Sequence, residues 1–75
     1  MNEYKHILGC IKDWKKIPVN TTAWWEKFRW IRDRNRSSWM IGKITLDQYT
    51  KISNYLEGVE KKVKKEAAAL SKEQH

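Results

Sequence analysis

The chain has 75 residues, 40% of them hydrophobic and 12% aromatic, and carries a formal net charge of +7. A chain this short forms at most one domain, burying only about 60% of the surface its unfolded form exposes, and its tryptophan-rich apolar content argues against a disordered tail. The single cysteine, Cys10, excludes an internal disulfide framework and suits a reducing compartment, while the charge favours anionic partners: nucleic acid first, an acidic protein surface second, anionic lipid third.

In the N-terminal stretch "MNEYKHILGCIKDW", Tyr4, Ile7, Leu8, Ile11 and Trp14 recur at spacings of three and four. That spacing predicts one apolar stripe on a helix of about 13 residues starting near Asn2, with Asn2 as N-cap and Glu3 in the favourable first turn. Pro18 ends the helix, since it lacks an N–H and disfavours helical geometry at Ile17. The stretch has neither an uninterrupted apolar region nor a small-residue cleavage site, so it does not read as a secretory signal. No segment reaches the roughly 20 apolar residues of a membrane span. The expectation is a soluble cytoplasmic protein without a membrane partner.

Asn20, Thr21 and Thr22 offer caps for a second helix, with Glu26 near its positive end. This helix contains "WWEKFRWIRDRNRSSW", which holds four of the five tryptophans and all four arginines. At 100° per residue, Trp24, Phe28, Ile31, Asn35 and Trp39 share one sector with Trp25 at its edge, and that sector is expected to be core. The helix can run to Ile41, closed by Gly42 in a left-handed turn.

Thr45 and Gln48 then form a capping-box pattern, with Asp47 in the first turn of a third helix. Along it Tyr49, Ile52, Leu56, Val59 and Val63 make a heptad-like seam that Leu70 continues. Gly58, inside this helix, is read as a point of close helix contact in preference to a break. No segment alternates with period two. The predicted fold class is therefore all-α: a small three-helix domain over residues 1–70, its short first helix followed by a longer antiparallel helical hairpin, with 71–75 as a frayed C-terminal tail.

The hairpin tip, "GKIT" followed by a tyrosine four residues on, resembles the helical-hairpin turn of several short bacterial and phage families, including XkdX-like tail-region proteins and SHOCT-type modules. The resemblance covers about a dozen residues. It implies a shared way of turning a corner, and no function is carried over from it.

The candidate binding surface is what the buried sector of the second helix leaves out. Trp30 is flanked by Lys27 and Arg34 at spacings of three and four, while Arg29, Arg32 and Arg36 form a second row continuing from Trp25. Arginine pairs bidentately with phosphate and stacks on bases, and an exposed indole gives an unpaired base a platform, which favours RNA or single strands over duplex DNA. Two other readings stay open. Trp30 packs against the first helix or a second copy, with arginine stems over its edges and Glu26 and Asp33 neutralising the row; or the surface is a protein hot spot, where tryptophan and arginine are also enriched.

Lys51, Tyr55, Lys61, Lys62 and Lys65 on the third helix form a secondary basic surface, or simply a solvated face. His6 and Cys10, at i and i+4 with Asp13 on the same side, make an incomplete zinc site, so no metal or other cofactor is expected. No third group orients a Cys-His pair, and no Gly-rich phosphate loop or paired-carboxylate site appears, so an enzyme is not expected. A helix-turn-helix reader is disfavoured because the third helix begins "LDQYTKISNY", poor in base-reading arginines. The leading expectation is a small basic accessory protein that binds nucleic acid. The alternative is a phage- or mobile-element-type protein that binds and inhibits or redirects a host machine, such as an anti-CRISPR-like inhibitor. A homodimer through the third-helix seam is compatible with either.

Overall fold

The computed structural model describes residues 2–73, and side chains through Leu70. Three helices follow one another: α1 (Glu3–Trp14), α2 (Thr22–Met40) and α3 (Leu46–Glu73). Each begins where its cap is written. Asn2 Oδ1 accepts from the Tyr4 N–H at 2.9 Å, Thr21 Oγ1 accepts from the Trp24 N–H at 3.2 Å, and Thr45 and Gln48 close a reciprocal capping box at 3.0 and 3.1 Å. The expected 13-residue first helix has 12, ending in turns ahead of Pro18.

Gly42 takes φ +77° just beyond α2. Lys43 N–H donates to Ser38 O at 2.8 Å and Gly42 N–H to Trp39 O at 3.0 Å, the paired bonds of a Schellman turn that reverses the chain into α3. Asn20, at φ +65°, makes the second sharp corner, between α1 and α2.

α2 is the central element. Its row Trp24, Phe28, Ile31, Asn35 and Ser38, at spacings of four and three, is buried between α1 and α3. Ile7, Ile11 and Trp14 of α1, Ile44 of the turn, and Ile52, Leu56 and Val63 of α3 complete the core. Trp14 anchors it: its Nε1–H donates to Trp24 O at 3.0 Å, and its ring lies 4.8 Å from that of Trp24 and 5.8 Å from that of Phe28, centroid to centroid. Asn35 sets the α2–α3 register, its amide donating to Tyr49 O at 3.3 Å and Ser53 Oγ at 3.2 Å.

Three expectations need correction. Trp39 is not core: it is 38% exposed, stacked on Tyr49 with ring centroids 4.6 Å apart. It lies about 60° around the helix from Trp24, where the hairpin opens, and Ser38 takes the inward position. Leu8 is likewise outside the core, 40% exposed. Gly58 makes no close helix contact and no break, since α3 runs through it and a Cβ placed there meets nothing within 4 Å. Gly58→Ala should therefore stabilise the fold by about 1 kcal/mol, a rise in Tm of about 4–8 °C by thermal circular dichroism; a fall in Tm would mean that the site is closed.

The α3 seam is spent within the monomer. Ile52, Leu56 and Val63 are buried against the other helices, and Leu70 is left exposed on the distal part of α3. The helix continues through Glu73; of the expected frayed tail, residues 74 and 75 lie outside the described residues. The molecule measures 49 × 20 × 14 Å.

Candidate functional site

The phase that buries Trp24, Phe28 and Ile31 turns the cationic residues of α2 outward, to two different flanks. Trp30 is 44% exposed on the α1 side. Lys27 Nζ stands 4.7 Å from its ring centroid and Arg34 Cζ stands 5.8 Å from it, so two cations stand over the indole.

Arg29, Arg32 and Arg36 occupy the α3 side, about 100–160° around the helix from Trp30. Glu26 and Asp33 stand between the two flanks. Arg29 and Arg36 are exposed and form no ion pair among the described residues, while Arg32 approaches Asp33 loosely at 3.9 Å and lies 5.7 Å from the Phe28 ring centroid. Arg29 and Arg32 also line a cleft between α2 and α3 with Trp25, Glu60 and Lys64. Lys64, 3.7 Å from Glu60, joins that cleft because α3 passes antiparallel to α2.

Arg34 has a structural duty. Its Nε donates to Glu3 Oε1 at 2.8 Å and its Nη2 to Oε2 at 3.4 Å, while Ser38 Oγ donates to the same Oε1 at 3.0 Å. The cluster ties the first turn of α1 to the last half of α2. The Arg34 guanidinium, aided by the Ser38 hydroxyl, holds the Glu3 carboxyl below its ordinary range against the opposing effect of burial, and Glu3 in turn raises Arg34. A lowered folded-state pKa means that the unfolded chain binds more protons in the acid range. Stability from this cluster is present above the ordinary carboxylate range and is lost as pH falls through the lowered value. Urea midpoints should hold steady near neutrality and drop in acid, and Glu3→Gln should flatten that drop; an unchanged acid limb would remove the cluster from the fold's stability.

On α3, Lys51 pairs with Asp47 at 3.2 Å and Lys61 with Glu57 at 3.3 Å, both exposed i,i+4 pairs. Lys51, Tyr55 and Lys62 line the side of α3 that faces α1, where Lys15 Nζ stands 5.2 Å from the Tyr55 ring centroid. Lys61 and Lys65 are exposed on a neighbouring strip of α3 that does not line this groove. The secondary basic surface is thus divided. His6 Nε2 and Cys10 Sγ lie 3.9 Å apart, and among the described residues no group of three or more metal-ligating side chains gathers around them. Among these residues no helix is long and apolar enough to cross a membrane.

Fold and surface together define a small all-α, three-helix domain with a cationic central helix. No protein-family model matches the chain, and neither a curated protein nor a solved structure is significantly similar to it.

Proposed function

We propose that the chain is a small, non-enzymatic, cytoplasmic accessory protein that binds single-stranded nucleic acid, RNA above all, across the outer face of α2. The observation that carries this reading is Trp30, a large apolar ring left 44% exposed with Lys27 and Arg34 over it. An unpaired base stacks on that indole in place of the Lys27 ammonium, which the strand's phosphate draws aside. Arg29 and Arg36 take phosphates on the other flank, with Arg32 beside them, so the strand crosses the helix obliquely. Arg34 contributes through the Trp30 face, because its fork is engaged by Glu3. Glu26 and Asp33 between the flanks keep the surface from being a uniform polycation, favouring a strand that places its phosphates to either side.

The test is fluorescence anisotropy with labelled single-stranded RNA, single-stranded DNA and duplex probes over a salt series. Single strands should bind more tightly than duplex, with affinity falling steeply and log-linearly in salt. Micromolar protein at about 50 mM salt that leaves every probe free would overturn the proposal.

A further inference from the structure

On the side of the molecule away from the outer face of α2, α1 and α3 diverge and leave a groove between them. Its floor is apolar: Leu8 and Ile11 from α1, Ile52 and Tyr55 from α3. Leu8, on the apolar stripe of α1, is 40% exposed, and Tyr55, beside the buried Leu56 of α3, is 39% exposed. The groove continues past Tyr55 along Val59 toward Val19, at the corner after α1.

Both walls carry lysines. Lys12 and Lys15 stand on the α1 side, Lys51 and Lys62 on the α3 side. Lys51 is paired with Asp47 and Glu66 lines the far end, whereas Lys12, Lys15 and Lys62 form no ion pair among the described residues. From Lys51 to Lys62 the wall is 11 residues long, about 16 Å or three helical turns.

We infer that this groove is the docking site for an acidic amphipathic helix of a partner protein. A helix laid between α1 and α3 covers Leu8 and Tyr55 with its apolar stripe, spaced i, i+3/4, i+7. Carboxylates on the two edges of that stripe meet the lysines of both walls. Charge selects this occupant over a second copy of the chain, which carries +7 itself and would set lysine against lysine. The site is separate from Trp30 and independent of strand binding.

A displayed peptide library tests it, all members sharing one apolar helical stripe and carrying Glu or Lys at random along both edges. Selection on the full chain should enrich Glu-edged peptides. The double variant Lys12→Glu/Lys15→Glu, both sites exposed and checked for folding by circular dichroism, should bind the selected peptides about tenfold more weakly and shift enrichment toward Lys edges. Trp30→Ala should leave peptide binding unchanged. No enrichment, or equal enrichment of Lys-edged peptides, overturns the inference. So does sedimentation of the free chain as a dimer that Leu8→Lys dissociates, because the groove would then be covered by a second copy.

Discussion

Trp14→Ala should leave the chain close to unfolded under conditions where the parent is fully native. A 75-residue domain has roughly 4–11 kcal/mol of stability in all. Truncating a buried tryptophan typically costs about 3–5 kcal/mol, and here the indole also donates a buried hydrogen bond to Trp24 O, a further loss of about 1 kcal/mol. Trp14 is 1% exposed and joins α1 to α2 through two aromatic contacts, so the cavity would open at the point where the short first helix is held. By thermal circular dichroism Tm should fall by at least about 12 °C. Trp14→Phe keeps most of the packing and forfeits the donor, so its loss should be markedly smaller. Equal losses for the two variants would mean that the hydrogen bond, and not the aromatic packing, holds α1.

The second large effect concerns α2. Replacing Arg29, Arg32 and Arg36 together by glutamine should cut the salt slope of single-strand binding by roughly two, since each phosphate contact on a single strand contributes about 0.7 to it. Trp30→Ala should act differently, lowering affinity by about 1–3 kcal/mol with little change in slope, the signature of a lost stack. All four residues are exposed, and the fold should keep its Tm within a few degrees. If the arginine variant keeps its slope while Trp30→Ala abolishes binding, phosphates are held elsewhere and the second flank plays no part.

The helices and their ends were legible because capping is local. Asn2, Thr21, Thr45 with Gln48, and Gly42 each act on groups within five residues, so spacing along the chain suffices to find them. The phase of α2 was legible for the same reason, and it turned Trp30 outward. Trp39 was misjudged because angular position alone does not say where a neighbouring helix stops covering it. Gly58 looked like a contact point, but what lies across a helix is a tertiary fact, and there it is open space.

The cluster of Glu3, Arg34 and Ser38 joins residues more than 30 positions apart, so nothing local announces it. Glu3 reads equally well as a first-turn acid and Arg34 as a free cation. Ser38 is the inward-facing residue that Trp39 is expected to be, so the hydroxyl that completes the cluster lies on a face read as apolar. The groove between α1 and α3 was hidden for a related reason. Leu8 reads as one more residue of the α1 stripe and Tyr55 as part of a basic face of α3, and they come together only because two helices that each pack mainly on α2 leave a groove between them.

The most direct test of strand binding on α2 is a titration of isotope-labelled protein with a short single-stranded RNA, following the five tryptophan indole N–H signals by NMR. Trp30 should move strongly and saturably, together with the side-chain N–H signals of Arg29 and Arg36, while the buried Trp14 and Trp24 hold still. A Trp30 signal unmoved at saturating RNA, or shifts confined to the groove around Leu8 and Tyr55, would contradict the proposed function.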